Sequence, residues 1–155
     1  MKITIEKLEP SNQEQIKTIA GWYYEEWNTP IEKTLMRLES QPNDDVLLQL
    51  IASYEDRIVA TAGLANKVNL VQKNPQFTNL KPWIALLYTQ VQYRRQGIGK
   101  YLLEHIEKHA IRLGINKIYL YTFTAESLYT KCGWTAIDKV SYKGHETVVM
   151  EKHLV

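Results

Sequence analysis

Residues 93–103, YRRQGIGKYLL, set two arginines against two glycines and run straight into leucines. Glycine is a poor helix-interior residue, but it suits a place where backbone must approach a ligand closely. The first N–H groups of a helix lack partners within it, so a helix start is a ready anion site. A diphosphate needs several converging N–H donors, and the turn Arg95-Gln96-Gly97-Ile98-Gly99-Lys100 offers them. Gly97 and Gly99 keep side chains out of the approach, while Arg95 and Lys100 bring charge to its rim. The plainer alternative is that both glycines only serve a tight strand-to-helix turn.

Three phosphate-binding outlines share a strand, a glycine turn and an amphipathic helix. The nucleotide-binding loop G-x-x-x-x-G-K-[ST] fails twice, because Tyr101 follows Gly99-Lys100 and Arg94 stands where the first glycine belongs. The dinucleotide fingerprint G-x-G-x-x-G fails at Leu102, which fills the third glycine position. The outline [RQ]-x-x-G-x-[GA] is satisfied by Arg94, Gly97 and Gly99.

Other reactive side chains read more blandly. His105 and His109 flank Glu107 as H-x-E-x-H, not the zinc pattern H-E-x-x-H, and no third ligand is evident. Both fall off the leucine stripe of their helix, so no metal is expected. Cys132 precedes a helix-stopping Gly133 and reads as ordinary packing.

The elements that must position the turn follow from periodicity. Ile3, Ile5 and Leu8 alternate as a first strand. Ser11 and Glu14 form a capping-box pattern ahead of Ile16, Ile19, Ala20, Tyr23 and Trp27. Thr29 as N-cap, Pro30 and Glu32 open a second helix carrying Leu35 and Leu38. VLLQLIASY and IVATAGLA flank a tight turn at Glu55-Asp56-Arg57. Residues 66–81 are polar and aperiodic and predict a loop at the rim of the site. WIALLYTQV is apolar nearly throughout, as a strand buried on both faces should be. Leu102, Leu103, Ile106, Ala110 and Leu113 stripe the helix behind the glycines, which Gly114 stops. KIYLYT is a buried strand, AESLYTKC a short helix, and TAIDKVSY and TVVMEKHL flank a hairpin at Lys143-Gly144-His145. The order β-α-α-β-β-β-α-β-α-β-β predicts an α+β fold, a mixed central β-sheet flanked by helices, as one domain over residues 1–155.

Composition narrows the classes. The chain has 155 residues, a formal net charge of +2 and one cysteine. Its basic residues are scattered, which disfavours nucleic acid. No apolar run is long enough to span a membrane. The N-terminus lacks an apolar signal core, and a lone cysteine makes no internal disulfide; together these predict a cytoplasmic protein.

LYTQVQYRRQGIGKYLL is similar to L-Y-V-x-P-x-Y-R-x-x-G-x-G-x-x-L-L, and LYTKCGW to L-Y-x-x-x-G-F. These are two signatures of the GNAT superfamily of N-acetyltransferases, which the element order also resembles from first strand to last. The resemblance implies a fold that binds acetyl-CoA as cosubstrate, with the diphosphate on the turn at Arg94–Lys100. It implies pairing of the pantetheine amides with Leu87, Tyr88 and Thr89, one of whose backbone N–H groups would face the thioester oxygen. Tyr129, in the second signature, would be the general acid for the departing thiolate, since a phenol is protonated at neutral pH. Glu25 and Glu26, at the end of the first helix, border the acceptor site in this family and are base candidates beside a water relay. Trp22, Tyr23, Tyr24 and Trp27 could line an aromatic pocket for an ammonium, although Tyr23 and Trp27 also fall on the apolar stripe.

Two departures stand out: Val91 replaces a usual proline, and Thr122 stands where many members carry a cofactor-holding asparagine. A threonine hydroxyl is shorter, so that role is not carried over. KPWIALLY, KCGW and SYKGHETVVMEKHL resemble a branch that acetylates small amines and protein N-termini. The implied function is transfer of acetyl to a primary amine, small-molecule or peptide, by a monomer or homodimer. A non-catalytic acetyl-CoA-binding module of the same fold stays open.

Overall fold

The computed structural model describes residues 2–154. Among them a seven-stranded sheet runs in the order β1-β2-β3-β4-β5-β7-β6. Its strands are β1 (Thr4–Lys7), β2 (Val46–Tyr54), β3 (Arg57–Ala65), β4 (Trp83–Thr89), β5 (Lys117–Thr122), β6 (Thr135–Tyr142) and β7 (His145–His153). Neighbours are antiparallel except β4 and β5. The helices are α1 (Gln13–Trp27), α2 (Ile31–Glu39), α3 (Asn69–Lys73), α4 (Ile98–Arg112) and α5 (Glu126–Lys131). The expected α+β architecture is therefore present, with one added element.

Strand alternation divides the core between two faces. On one, Leu102, Ile106 and Ala110 of α4 pack with Leu50, Ala62, Ile118 and Met150. On the other, Ile16, Ile19 and Tyr23 of α1 and Leu38 of α2 pack with Ile51 and Tyr88. A third cluster joins Leu70, Phe77, Trp83, Tyr119 and Val149. Because Tyr119 and Val149 alternate with Ile118, Leu120 and Met150, this cluster lies on the face opposite α4.

Several boundaries differ from the sequence reading. Asn12, not Ser11, caps α1: its side-chain oxygen accepts from the Gln15 N–H at 3.1 Å. Pro30 is itself the N-cap of α2, with no side-chain cap bond, so Thr29 does not cap it. Residues 66–81 are not an open loop. They hold α3 and a 3-10 turn, Pro75–Phe77, which bury Leu70 and Phe77 against Trp83. Two apolar residues spaced seven apart were too sparse to register as a period. β4 ends at Thr89, and Val91–Tyr93 form a second 3-10 turn, so the apolar run overshot the strand. Nor is β4 buried throughout: Ala85, Leu86 and Leu87 are half-buried.

The reason lies in β4·β5. The two strands pair only at Trp83↔Tyr119 and diverge beyond it. Trp83 is fully buried there, and its indole N–H donates to the Leu80 carbonyl at 2.6 Å. Trp83→Ala should cost about 3–5 kcal/mol, read as a lower midpoint in urea unfolding, because it empties the one joint between the two halves of the sheet.

Candidate active site

The divergence of β4 from β5 leaves a groove. Its volume is about 410 Å³, and it is walled by Leu87, Tyr88 and Thr89 of β4 and by the turn from Arg94 to Lys100. Glu26 and Trp27 close one side, and Leu128 contributes from α5. Two segments that the sequence singled out separately thus share one surface.

β4 reaches the groove through a bulge. Thr61 pairs with Tyr88 and Gly63 with Ala85, so β4 carries one residue more than β3 across the same interval. Leu86 takes up the excess at φ 61°. A left-handed non-glycine residue costs about 1–3 kcal/mol and persists only where its surroundings fix it. Here the Tyr23 hydroxyl donates to the Leu86 carbonyl.

The phosphate-type turn is more strongly shaped than its glycines suggested. Arg95 is left-handed at φ 63° and Gly97 at φ 81°. Alternating hand along a turn points successive N–H groups toward one concavity. α4 follows with Gly97 as N-cap and no side-chain cap bond, so its opening N–H groups face the groove without a side-chain acceptor. Gly97 needs its glycine for backbone reasons. Gly99 does not: its φ is ordinary, and an added Cβ would meet nothing within 4 Å. The fold leaves that space open, so packing does not require a glycine at position 99. Of the two glycines, only Gly97 is required by the backbone of the turn.

Arg94 is exposed on the groove but anchored to the end of β4. Its Nε donates to the Thr89 carbonyl at 2.7 Å, and its guanidinium lies 5.3 Å from the Tyr88 ring centroid. Its Nη2 stands 3.9 Å from a Glu26 carboxylate oxygen. Arg94 therefore braces the end of β4, and Arg95 and Lys100 remain the cations at the mouth of the turn. Gln96 turns away, its amide 3.4 Å from the Gln92 carbonyl. Ile98 is buried, so only its backbone serves the groove.

Tyr129 lies outside the groove wall that its neighbour Leu128 joins; it is half-buried, edge-on to Trp134 with centroids 6.2 Å apart. Burial first, and the adjacent Cys132 second, hold its phenol above the usual tyrosine range, which keeps it protonated. The end of its short helix is pinned: Lys152 Nζ donates to the Cys132 carbonyl at 2.8 Å and pairs with Glu107 at 2.9 Å. Glu107 thus belongs to a brace behind α5. His105 packs edge-on against Tyr101. Among the described residues no group of three or more His, Cys, Asp or Glu side chains converges as a metal site needs. The Thr122 hydroxyl accepts from the Ala125 N–H at 3.1 Å, so it serves the entry to α5.

The α1 aromatics separate into core and wall. Trp22 is buried and stacks on Tyr88 at 5.2 Å, so it is core and not pocket lining. Tyr23 is fully buried, with Trp27 leaning on it at 5.0 Å. Trp27 is 47% exposed and borders the groove. Tyr24 and Glu25 are exposed but lie outside the groove wall, whereas Glu26 is part of it. Sequence reasoning missed Tyr93, which also lines the groove, and the Leu86 bulge; no residue type at position 86 announces a left-handed backbone.

A family model described as the acetyltransferase (GNAT) family matches residues 13–134. Among solved structures, the chain is similar to the PaiA N-acetyltransferase from Thermoplasma acidophilum in complex with coenzyme A. Identity is 25%, the TM-score is 0.67, and 99% of each chain is covered. It is also similar to an aminoglycoside 6'-N-acetyltransferase from Enterococcus faecium at 15% identity and TM-score 0.73, covering 98% of this chain and 97% of that one. Ard1 from Thermoplasma volcanium aligns at 15% identity and TM-score 0.72, over 100% of this chain and 99% of that one. No curated protein matches the sequence significantly.

The two glycines should respond differently to alanine. Gly99→Ala should leave thermal stability unchanged or raise it by at most about 1 kcal/mol, as expected of alanine in a helical turn. Gly97→Ala should lower it by about 1–2 kcal/mol, because a Cβ is strained at positive φ. Thermal unfolding of both variants beside the parent measures the difference.

Proposed function

The chain belongs to the GNAT family of acetyltransferases, and from that premise we propose that it transfers the acetyl group of acetyl-CoA to a primary amine by direct attack, a small-molecule amine being favoured. The observation that carries this reading is the cradle at Arg95–Lys100, which opens into the same groove as Leu87–Thr89. Gly99 lines that groove and an added Cβ there would meet nothing within 4 Å, which supports room for a diphosphate at the turn.

The residues present fit the cosubstrate. Backbone N–H groups at Gly97, Ile98, Gly99 and Lys100, with the Arg95 and Lys100 charges, would hold the diphosphate. Leu87, Tyr88 and Thr89 offer main-chain partners to the pantetheine amides, as an added strand would. The cosubstrate supplies an activated acetyl thioester.

This chain's own groups then have three tasks. A backbone N–H of Leu87, Tyr88 or Thr89 donates to the carbonyl oxygen as it gains charge. Tyr129 donates its proton to the departing sulfur, and its raised pKa keeps that proton in place at neutral pH. Glu26 is the carboxylate on the groove wall, 3.9 Å from Arg94 and so beyond a hydrogen bond to it. It receives the ammonium and takes up its proton directly or through water.

The preference for a small cationic amine rests on that wall. Glu26 and the exposed Trp27 ring stand side by side on the groove, an acid and a π face that both attract an ammonium. The deciding experiment incubates the protein with acetyl-CoA and pools of polyamines, amino acids, aminoglycosides and peptides, and weighs the products. A mass gain of one acetyl group confined to peptides would overturn the small-amine preference. Free thiol release with no acetylated acceptor would overturn transfer itself.

Tyr129→Phe should lower kcat by about 10²-fold or more, the scale of a general acid, with the Kd for acetyl-CoA nearly unchanged. Because burial raises the Tyr129 pKa, the kcat profile should show no falling limb from this group below pH about 10. Acetyl-CoA at about 100 times its Kd should add about 2.7 kcal/mol of stability. The gain at the same concentration should shrink in Gly99→Ala, and a full melting shift in that variant would remove the turn from the binding site.

A further inference from the structure

The extra residue in β4 is fixed by side chains that no groove wall contains. Tyr23, on α1, donates its phenolic proton to the Leu86 carbonyl. Thr61, on β3, donates its hydroxyl proton to the Leu50 carbonyl at 2.7 Å. Both hydroxyls have thereby committed their only hydrogens, so toward any third group they can only accept. The third group is Gln49, fully buried on β2. Its amide nitrogen lies 2.7 Å from the Thr61 Oγ1 and 3.2 Å from the Tyr23 hydroxyl.

The direction of every bond is therefore determined. An amide NH2 has two hydrogens and meets two acceptors. Rotating the amide by half a turn would set its oxygen against two oxygens that have no hydrogen left to give. The orientation has a cost. Gln49 Oε1 is the one buried side-chain nitrogen or oxygen without a hydrogen-bond partner among the described residues. It occupies the place a Cβ would take on Gly63, where the two would collide. Gly63 thus admits the amide, the amide orients the phenol, and the phenol turns the Leu86 carbonyl inward.

We propose that Tyr23 and Gln49 are positioning residues for acetyl transfer, acting through the Leu86 bulge to aim the Leu87–Thr89 backbone at the groove. The inference rests on the acetyl-transfer reading above. Neither residue lines the groove. Their effect is on register. Without an inward partner for its carbonyl, Leu86 loses what holds it left-handed. β4 can then slide by one residue against β3, which sends each following group to the opposite face. The N–H groups that would serve the thioester oxygen are the first to move. Burial supports the arrangement, since it raises the Tyr23 pKa and keeps its proton available to the carbonyl.

The test uses Tyr23→Phe, which keeps the ring against Trp27 and deletes only the hydroxyl, and Gly63→Ala, which evicts the Gln49 amide without altering α1. Amide hydrogen exchange across the chain and steady-state kinetics with acetyl-CoA are measured for each. The expected result is faster exchange confined to residues 86–88 and a kcat lowered by about tenfold or more, the direction of a misaimed oxyanion donor, with KM for acetyl-CoA within about twofold. Parental exchange at 86–88 with parental kcat in Tyr23→Phe overturns the proposal. So does exchange that rises equally across β1, β2 and β7, because the residue is then only structural. If Tyr23→Phe does not fold, Gly63→Ala decides by the same two readouts. Parent protein that acetylates no amine sinks the acetyl-transfer reading, visibly distinct from a variant that loses a rate the parent has.

Discussion

β4 and β5 are parallel neighbours that touch at a single register position, Trp83↔Tyr119. A parallel pair that stayed zipped would satisfy its own N–H and C=O groups and leave nothing for a ligand. The groove exists because the pairing fails beyond Trp83. Something must then hold the sheet together around the opening. Trp83 does so at its base, with α3 and the 3-10 turn at Pro75–Phe77 packed beneath it. Antiparallel ladders do so on either side, β3 with β4 and β5 with β7. The segment between residues 66 and 81 therefore serves the groove from below, as a foundation for the joint.

The two walls of the opening are built by different means. On the α4 side the backbone groups that border the groove come from a helix start whose shape is set by left-handed turns at Arg95 and Gly97. On the β4 side they come from an extended strand with one residue too many. Both devices are local departures from regular geometry. Arg94 bridges them: it bonds the Thr89 carbonyl and covers the Tyr88 ring while its backbone belongs to the turn. Its contact with Glu26 is long and exposed on both sides, so that ion pair contributes little to stability. The carbonyl bond and the aromatic face matter more.

Legibility followed period and type. Repeating patterns were readable: the leucine stripe of α4, the buried runs of β5 and β7 and the β6–β7 hairpin all emerged from spacing alone. The turn ahead of α4 was readable because Gly97 and Gly99 are chemically unusual at a helix mouth. The α1 aromatics were readable as a group but not individually. Trp22 and Tyr23 face the sheet and Trp27 faces the groove, a distinction of about one helical turn that periodicity cannot assign when all three are aromatic. Arg94 could not be told from Arg95, although both line the groove and only Arg94 also bonds the end of β4. The Leu86 bulge left no trace, since a bulge is decided by the register of the partner strand and β3 supplies the relevant glycine, Gly63.

That last point changes how Tyr23 should be weighed. On the sequence it is one of ten tyrosines and sits on an apolar stripe, which argues for core packing. Core packing needs only the ring, and phenylalanine would fill that role without a buried hydroxyl to satisfy. A hydroxyl retained in a fully buried position is favourable only when its hydrogen bonds are made. Here it makes one as donor, to Leu86, and one as acceptor, from Gln49. Gln49 in turn leaves its own oxygen unpaired to serve the two hydroxyls. An apolar core would be simpler at all three positions, so the polar network is best understood by what it fixes: the direction of one carbonyl, and with it the backbone that borders the groove.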